Sequence, residues 1–492
     1  MKRKNIKKVL SKMEPYIGKK GYTIVKSQYT QTQLQCFRDE MTVSPNNGIN
    51  GFVSATRYPI YRESTHKMYL PRYYGMEQLG PCKKNVLSKG DPIDLSFKGD
   101  LFPYQNNIVD KFITHVGHSG GGLLDVEPGK GKTVMGLNIL SKLKKKTLVV
   151  VHKTFLLNQW KERISQFLPL AKVGLIQGQI IDVDDKDIVI GMLQTLSTKE
   201  FDDSITRSFG LTIYDECHHL SAEVFSNVMI RIHTNYILGL SGTMTRKDGL
   251  TKVFKYFVGP VVHKEKTDLT TQVLVKAVLF EDHENDEYNE VETDFKGNPM
   301  YSRMITKLCT NMHRTSMISN IIHFELKENP DQQIMILAHN KSLIQDLYTQ
   351  IEVFEESIGF YLGGMKEDAL KESESKKIII ATYAMASEGL DIKTLTTLCM
   401  ATPKSDVCQS VGRILRSKHK QPMVIDIIDS HEIFKRQFIK RKTYYHKKQY
   451  VVQKYLHLND YMNDVYTVET KSSKKSKPAP VKCMINIPDN VS

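Results

Sequence analysis

The residues best suited to chemistry lie in one glycine-rich stretch, residues 121–133, which reads GGLLDVEPGKGKT. A short apolar run precedes the glycines, and the apolar periodicity of residues 134–143 predicts a helix after them. Glycines let backbone N–H groups turn towards phosphate oxygens, and a helix N-terminus adds partial positive charge. Lys132 can reach the β- and γ-phosphates of a nucleotide, and Thr133 can bind Mg²⁺. The pattern predicts a phosphate-binding loop of Gly129, Lys130, Gly131, Lys132 and Thr133, although Val126 stands where the strict pattern has glycine.

Two adjacent carboxylates follow a predicted strand, residues 211–214. Asp215 can hold Mg²⁺ through its water shell, and Glu216 can orient and deprotonate an attacking water. An exposed acidic turn is the alternative, but the upstream phosphate loop favours catalysis. Gln105 lies before that loop and offers both a donor and an acceptor, which suits the edge of an adenine base. These residues together predict a site for ATP.

A third polar set lies in the segment 409–416, QSVGRILR, which we predict to be helical. Arg413 and Arg416 are three positions apart and share one helical face, to which Gln409 also belongs. Two arginines aimed across a cleft would stabilise the charge on a transferring γ-phosphoryl group. A salt-bridged structural helix is the alternative.

Apolar strands alternate with helical segments over most of the chain after residue 100. The first series of predicted strands comprises residues 146–152, 187–193, 211–214 and 236–240. The second series comprises residues 272–280, 333–338, 357–361, 377–382, 397–401 and 423–428. Polar motifs follow several of these strands, as in open parallel sheets, which bind ligands at the carboxyl ends of their strands. The predicted fold class is α/β, with the phosphate loop in one half and the arginines in the other.

The length of 492 residues predicts two or three domains. We expect a basic arm, a small β-containing accessory domain, an ATP-binding α/β domain, a second α/β domain and a basic C-terminal extension with a disordered end. Their predicted bounds are residues 1–21, 22–98, 99–265, 266–430 and 431–492, in that order.

The formal net charge of +15 suggests a polyanionic partner. Residues 434–450 interleave basic side chains with tyrosines, which suits nucleic acid, but solvated surface explains them as well. The cluster PRYYG at residues 71–75 could contact nucleic acid or serve packing. No apolar run approaches the roughly 18 residues of a membrane span, so we expect no membrane association. The seven cysteines form no CxxC pair, which argues against disulfides and a zinc ribbon.

The motifs in this order resemble those of superfamily 2 helicases with two RecA-like domains, over residues 101–428. They are GKGKT (129–133), DECH (215–218), SGT (241–243), ATYAMASEGLD (381–391) and QSVGRILR (409–416). SGT stands where this superfamily usually has Ser-Ala-Thr or Thr-Ala-Thr. The segments LLNQWKERI (156–164) and LGLSGTMTRKDGL (238–250) resemble the branch of XPB-type DNA translocases. The flanking PRYYG, LFPYQ and residues 426–445 resemble helicases of large nucleocytoplasmic DNA viruses, which are relatives of the poxvirus transcript-release helicase.

The resemblance implies roles for the residues at matching positions. The catalytic set would be Lys132, Asp215, Glu216, Gln409, Arg413 and Arg416, with Thr133 and Asp215 on the Mg²⁺. Gly389 and Asp391 would join Gln105 and the phosphate loop in binding ATP. The nucleic-acid path would comprise Gln159, Thr195, Ser241, Thr243 and Thr382.

The implied function is that of an ATP-dependent helicase or translocase with Mg²⁺ as cofactor. We expect DNA as its nucleic acid, because the context of Arg246 and Gly249 resembles the DNA-directed branch. The setting would be viral transcription, through transcript release, or replication. The protein would work in the host cytoplasm or in a viral factory, and packaging in the virion is a further option. The viral transcription machinery would be its partner.

Three other functions compete with this interpretation. An RNA helicase shares most of the motifs. A non-catalytic transcription scaffold would be expected to lack Lys132, Glu216 or Arg416, and all three are present. An ATP-driven nuclease subunit needs a carboxylate cluster, for which residues 281–294 are the candidate, although they read better as a solvated linker.

Overall fold

The computed structural model describes most of the chain, namely residues 14–44, 57–127, 129–216, 222–242, 250–264, 272–387, 392–405, 407–414, 419 and 421–469. The described strands form a mixed N-terminal sheet, a two-stranded sheet and two eight-stranded sheets. Both eight-stranded sheets are almost entirely parallel, so the predicted α/β class is confirmed. The predicted basic arm lies largely outside the described residues, and so does the end of the tail.

The N-terminal region contains strands β1 (Tyr16–Gly18), β2 (Gly21–Val25), β3 (Thr42–Val43), β4 (Tyr58–Pro59), β5 (Arg62–Glu63), β6 (Lys67–Leu70) and β7 (Lys84–Asn85). Its helices are a 3₁₀ turn (Lys26–Gln28), α1 (Gln31–Glu40) and α2 (Arg72–Leu79). The sheet order is β5-β6-β2-β1-β7, and β3 pairs with β4. A Thr30–Gln33 capping box begins α1 by satisfying two backbone N–H groups that the helix leaves unpaired.

The first parallel sheet follows, and its strands are β8 (Gly121–Asp125), β9 (Thr147–Val151), β10 (Val173–Gln177), β11 (Ile180–Asp182), β12 (Ile188–Met192), β13 (Leu211–Asp215), β14 (Tyr236–Ser241) and β15 (Val261–Lys264). The helices are α3 (Pro103–Ser119), α4 (Lys132–Leu143), α5 (Thr154–Phe167), α6 (Leu193–Thr198), α7 (Asp203–Ser208), α8 (Ala222–Arg231) and α9 (Thr251–Val258). The strand order is β11-β10-β12-β9-β13-β14-β8-β15, with only β11 antiparallel to its neighbour.

The second parallel sheet has strands β16 (Leu274–Phe280), β17 (Ile334–Ala338), β18 (Ile358–Tyr361), β19 (Ile378–Thr382), β20 (Thr397–Met400), β21 (Met423–Asp429), β22 (Val451–Tyr455) and β23 (Thr467–Val468). Its helices are α10 (Asp286–Asn289), α11 (Tyr301–Thr310), α12 (Met312–Glu328), α13 (Lys341–Ile351), α14 (Glu367–Glu374), α15 (Tyr383–Ser387), α16 (Cys408–Val411), α17 (Glu432–Lys447) and α18 (Leu458–Met462). The order is β18-β19-β17-β20-β21-β16-β22-β23.

The central strands of both sheets are continuous apolar runs because helices cover both of their faces. All five residues of β9, β12, β13 and β17 are buried. The carboxyl ends of β8, β13 and β14 therefore meet at one edge of the first sheet. This edge carries Asp125, Asp215 and Ser241.

The segment after residue 430 is structurally continuous with the second sheet. Strand β22 pairs in parallel with β16, and α17 packs on the same sheet with Phe434, Phe438 and Tyr445 buried. Arg441 on α17 forms an ion pair of 2.8 Å with the buried Asp426. The boundary that we predicted at residue 430 thus falls between elements of one sheet.

The PRYYG cluster serves packing between the accessory region and the first parallel sheet. Arg72 donates to the carbonyl oxygens of Asn235 (3.0 Å) and Ser119 (3.1 Å). The hydroxyl of Tyr73 donates to the same Ser119 carbonyl at 3.0 Å. Tyr74 is 1% exposed and its ring packs edge-on against Tyr256. These contacts favour the packing interpretation over a nucleic-acid contact.

Among the described residues, no helix is both long enough and apolar enough to cross a membrane. Within the same residues, no group of three His, Cys, Asp or Glu side chains is arranged to hold a metal ion. The acidic segment 281–294 contains the short helix α10, anchored by the buried Tyr288. Its carboxylates give no support to a nuclease centre.

Candidate active site

The glycine-rich loop connects β8 to α4, as the sequence predicts. Gly129 (φ 84°) and Gly131 (φ 78°) adopt the left-handed conformation, which favours glycine. A Cβ atom on Gly131 would come within 2.4 Å of Nε2 of Gln105. Val126 is fully buried, and its N–H donates to the carbonyl of Ser241 at 3.0 Å. Val126 therefore packs the end of β8 into the core, and the turn begins after this residue.

The phosphate-loop lysine and the predicted catalytic base are in direct contact. Nζ of Lys132 donates to Oε1 of Glu216 at 2.7 Å, and their side chains are 10% and 20% exposed. Glu216 has φ of 46°, a left-handed conformation that is uncommon for a residue other than glycine. Backbone strain of this kind recurs at functional sites. The fold thus brings together two motifs that are far apart in the sequence.

Asp215 ends β13 and is 4% exposed. Its Oδ1 accepts the N–H of Glu216 at 3.0 Å, and its Oδ2 accepts Nε1–H of Trp160 at 2.8 Å. Burial and the nearby charge of Glu216 raise the pKa of Asp215 to about 6, while Lys132 and the Trp160 hydrogen bond lower it. Trp160 is fully buried on α5 and fixes the orientation of this carboxylate.

Gln105 lies on α3 and braces the phosphate loop. Its Nε2 donates to the carbonyl of Lys130 at 3.0 Å, and its Oε1 accepts the N–H of Phe102 at 3.0 Å. Phe102 and Tyr104 stack with their rings nearly parallel, and both are exposed beside the loop. The adenine contact of Gln105 stays a prediction, and the Tyr104 ring beside it also has Nζ of Lys130 at 5.7 Å from its centre.

The residues of the predicted nucleic-acid path lie on both parallel sheets. Ser241 ends β14, next to the phosphate-loop strand, and is fully buried. Oγ1 of Thr195, on α6, accepts the N–H of Gly178 at 2.9 Å. Gln159 is half-buried on α5 beside Trp160.

Thr382 ends β19 in the second sheet, where its hydroxyl accepts the N–H of Met385 at 3.4 Å. The roles of the nucleic-acid path residues stay predictions.

The arginine segment differs from the predicted helix. Helix α16 ends at Val411, and Arg413 follows in a turn in which its N–H donates to the carbonyl of Ser410 at 3.1 Å. The described helix is therefore shorter than predicted, and the common face of Arg413 and Arg416 stays a prediction, because Arg416 lies outside the described residues. Arg413 itself is 6% exposed.

Several predicted site residues cannot be placed with the others, because they lie outside the described residues. These are Thr243, Gly389, Asp391, Arg416 and the side chain of Gln409.

Sequence reasoning missed two residues that the structure connects to this site. Trp160 is the single tryptophan of the chain, and only its position beside Gln159 signalled it. Lys448 forms an ion pair with Glu127 of the phosphate loop across 321 positions of sequence. No local pattern can predict a contact of that separation.

Two tyrosines of the basic-aromatic segment 434–450 are structural. Tyr445 is fully buried and Tyr450 is 8% exposed. The hydroxyl of Tyr445 donates to Asp426 at 2.9 Å, the same carboxylate that pairs with Arg441. These tyrosines are therefore not available as stacking platforms for bases.

A basic groove lies between the accessory region and the first parallel sheet, and encloses a volume of about 1210 Å³. Its basic lining residues are Lys19, Lys20, Arg62, Lys199, Arg207 and Arg231. Tyr16 and Tyr69 also line it, and Nζ of Lys20 lies 5.1 Å from the centre of the Tyr69 ring. The groove is separate from the ATP site, since none of the described ATP-site residues lines it.

Ion pairs neutralise two of the acidic residues that line the basic groove. Glu63 pairs with Lys26 (3.0 Å) and Arg38 (2.7 Å). Asp203 pairs with Lys19 at 2.8 Å. The remaining cations of the lining outnumber its third acid, Glu200, so the groove is electropositive.

Comparisons with known proteins show the family to which the chain is similar. Residues 98–246 match the family described as type III restriction enzyme, res subunit. The L396 protein of Acanthamoeba polyphaga mimivirus, named as an ATP-dependent RNA helicase, is 35% identical over 449 residues, which are 88% of this chain and 86% of that protein. The QP509L protein of African swine fever virus, named in the same way, is 27% identical over 382 residues, which are 72% of this chain and 74% of that protein.

A solved structure supports the fold. Dbp5 of S. cerevisiae, bound to RNA and ADP BeF3, matches with a TM-score of 0.50 at 10% identity, covering 73% of this chain and 91% of that chain.

Two parallel sheets with a phosphate loop facing an Asp-Glu pair define a helicase-type ATPase with RecA-like domains. The chain belongs to the superfamily 2 helicases of large DNA viruses. It is an ATP-hydrolysing helicase, and its nucleotide substrate and nucleic-acid binding follow from that membership. The predicted resemblance to this family is confirmed. The XPB-type branch and the relationship to the poxvirus helicase stay predictions.

Proposed function

We propose that this helicase acts on DNA and hydrolyses ATP at the site formed by Lys132, Asp215 and Glu216. The observation that carries the site is the 2.7 Å contact between Lys132 and Glu216, which joins the phosphate loop to the acidic pair. ATP phosphates would attract the Lys132 ammonium away from this contact. Glu216 would then be released to accept a proton from the attacking water.

The residues present fit Mg²⁺ bound together with ATP. This ion is usually held by one or two protein oxygens and the substrate phosphates. Asp215 supplies a fixed carboxylate, and Thr133 is the second residue of α4, beside Lys132. Mg²⁺ would neutralise charge on the phosphate oxygens, while Trp160 keeps the Asp215 carboxylate in place.

The second parallel sheet would complete the site through residues 409–416. We infer that Arg413 and Arg416 stabilise the charge that develops on the γ-phosphoryl group and that Gln409 positions the water. Gly389 and Asp391 would report the nucleotide state to the nucleic-acid path. Closure of the two halves around ATP, followed by reopening after product release, would move the protein along one strand.

The nucleic-acid path would run past Gln159 and Thr195 on the first sheet and Thr382 on the second, with Ser241 and Thr243 coupling it to ATP. The basic groove extends this path on the first side, because Lys199 directly follows α6, the helix that carries Thr195. Contacts of lysine and arginine with phosphates carry no sequence information, so we expect low sequence specificity.

The preference for DNA rests on the sequence LGLSGTMTRKDGL at 238–250 and its XPB-type pattern. We infer viral transcription, through transcript release, or replication as the setting, because residues 71–75, 101–105 and 426–445 resemble relatives of the poxvirus transcript-release helicase. The protein would then work in the host cytoplasm or a viral factory, beside the viral transcription machinery, and packaging in the virion would fit the same role.

RNA is the second candidate substrate. The mimivirus and African swine fever virus relatives are named as RNA helicases, and Dbp5 was solved with RNA. The same backbone-directed contacts would serve an RNA strand.

The test is steady-state ATP hydrolysis at one fixed salt concentration with no polymer, duplex DNA, single-stranded DNA or RNA. We expect DNA to stimulate hydrolysis more strongly than RNA does. Stimulation by RNA alone would overturn the DNA assignment and favour the second candidate. Lys132→Ala serves as the site control, and full stimulated activity in this variant would contradict the proposed ATP site.

A further inference from the structure

The phosphate loop contacts the second parallel sheet at the turn between α17 and β22. Nζ of Lys448, just after α17, forms an ion pair with Oε1 of Glu127, which lies between β8 and Gly129. The side chain of Lys448 is 11% exposed and that of Glu127 is 30% exposed. An ion pair sheltered in this way is screened less by salt than a fully exposed pair.

The electrostatics around this contact reinforce it. Burial raises the pKa of Asp125, Lys264 and Lys132 lower it, Glu127 raises it, and Lys447 has the smallest of these effects and lowers it. Lys448 therefore makes the direct contact with the phosphate loop, and Lys447 adds a weak electrostatic attraction to Asp125.

Lys448 is held firmly to the second sheet. Arg441 on α17 pairs with Asp426 of β21 at 2.8 Å, and the buried Tyr445 donates to the same carboxylate at 2.9 Å. Directly after Lys448, the chain turns through Gln449 (φ 59°) into β22, which pairs with β16. Movement of Lys448 relative to its own sheet is thus restricted on both sides.

Glu127 belongs to the phosphate loop itself. Its carbonyl accepts the N–H of Lys130 at 3.4 Å, inside the loop that would surround the phosphates. The Lys448–Glu127 pair therefore connects a rigid point on one sheet to the phosphate loop of the other.

We propose that Lys448 is a positioning residue for ATP hydrolysis, which holds the turn between α17 and β22 to the phosphate loop through Glu127 and so guides how the second sheet closes on bound ATP. The inference rests on the proposed division of the active site, in which the loop binds ATP and Arg413 and Arg416 come from the second sheet. Misplacement of catalytic groups by about 1 Å costs up to roughly 100-fold in rate. Loss of the pair therefore lowers the rate of hydrolysis more than the affinity for ATP.

The first experiment compares Lys448→Ala with wild type in ATP hydrolysis at saturating nucleic acid. We expect kcat to fall about tenfold while KM for ATP changes by less than about threefold. Lys448→Arg keeps the charge and is expected to retain most of the activity. Lys442→Ala is the matched control, because Lys442 lies on the same helix but pairs with Glu469 of its own sheet at 2.9 Å. An unchanged kcat in Lys448→Ala, or an equal loss in Lys442→Ala, would overturn the proposal.

A charge exchange separates positioning from a general effect on folding. Glu127→Lys and Lys448→Glu are each expected to lower kcat, and the double variant is expected to recover most of the loss. A double variant no better than the worse single variant would contradict the pairing. Carbodiimide treatment of the ligand-free wild-type protein should also join Glu127 to Lys448, as detected by mass spectrometry, and failure to find that product would refute the contact.

Because wild-type hydrolysis is measured in the same assays, the positioning role of Lys448 and the proposed ATP site can be refuted independently. Active wild type with an unaffected Lys448→Ala variant refutes the positioning role and leaves the proposed ATP site intact. Full activity of Lys132→Ala refutes the ATP site and with it the basis for positioning by Lys448.

Discussion

Nε1–H of Trp160 donates a hydrogen bond of 2.8 Å to Oδ2 of Asp215, and both residues are buried at the carboxyl end of β13. The bond joins helix α5, which carries the predicted nucleic-acid residue Gln159, to the carboxylate proposed to hold Mg²⁺. A shift of α5 on binding a strand would therefore reach Asp215 directly. We therefore expect this bond to couple strand binding to the ATP site.

Replacing Trp160 by phenylalanine tests this route. Trp160→Phe keeps an aromatic ring in the core but leaves a buried carboxylate oxygen without its donor, which costs about 1–3 kcal/mol. We expect kcat for ATP to fall about tenfold and the Mg²⁺ concentration for half-maximal activity to rise, since Asp215 loses its fixed orientation. A Mg²⁺ titration of ATP hydrolysis measures both. Phe167→Leu, on the same helix but stacked on Phe97, is the control and should leave the Mg²⁺ dependence unchanged.

Glu216→Gln separates binding of ATP from its hydrolysis. The amide keeps the size of the side chain but cannot accept the proton, so we expect kcat to fall by at least about 100-fold. Binding of ATP should be retained or become tighter, because Lys132 no longer pairs with a carboxylate at 2.7 Å. Nucleotide binding and hydrolysis are measured on the same preparation. Glu223→Gln, an exposed change at the start of α8, should alter neither, and a Glu216→Gln enzyme with normal turnover would refute the role as base.

The basic groove gives a prediction about nucleic-acid affinity. Lys20→Glu combined with Lys199→Glu should weaken binding about tenfold at low salt and reduce the slope of log affinity against log salt by about two, because each lysine lost removes one phosphate contact. Fluorescence anisotropy with a labelled single strand over a range of salt concentrations measures both. The control, Lys98→Glu with Lys327→Glu, changes two exposed lysines outside the groove. Equal losses in the two double variants would mean that net charge alone explains the effect.

The parts of this molecule that sequence predicts are those with local causes. Gly129, Gly131 and Lys132 form their loop because a turn between strand and helix needs left-handed residues at these positions. The strands were predictable because apolar runs that are buried on both faces leave a continuous pattern. Asp215 and Glu216 could be placed at the site because parallel strands bring their carboxyl ends to the same edge.

The parts that sequence does not predict depend on contacts between distant segments. The bond from Trp160 to Asp215 requires the packing of α5 against β13, and the Lys448–Glu127 pair requires the arrangement of both sheets. Tyr445 looked like a possible base-stacking residue because exposure cannot be read from composition, yet it is buried against Asp426. The described helix α16 ends at Val411, before Arg413, and the intervening Gly412 has a low intrinsic helix propensity.

His233 gives a prediction about stability and pH at the junction of the accessory region with the first sheet. Its ring lies 3.8 Å from the position that a Cβ of Gly21 would take, and its buried Nε2 has no hydrogen-bond partner among the described residues. Burial, with a smaller contribution from the charge of Arg72, lowers the pKa of His233 from 6.5 to about 3. The folded protein therefore keeps this ring neutral at pH values where the unfolded chain protonates it. Stability is therefore lost as the pH falls below the pKa of histidine in the unfolded chain.

The measurement for this prediction is the melting temperature of wild type and His233→Gln at about pH 7.5 and about pH 5. Glutamine does not titrate, so the loss of melting temperature on acidification should be smaller in the variant than in wild type. His283→Gln, an exposed histidine beside Glu281, is the control and should behave as wild type does. Equal losses in wild type and His233→Gln would mean that His233 is not held neutral at this junction.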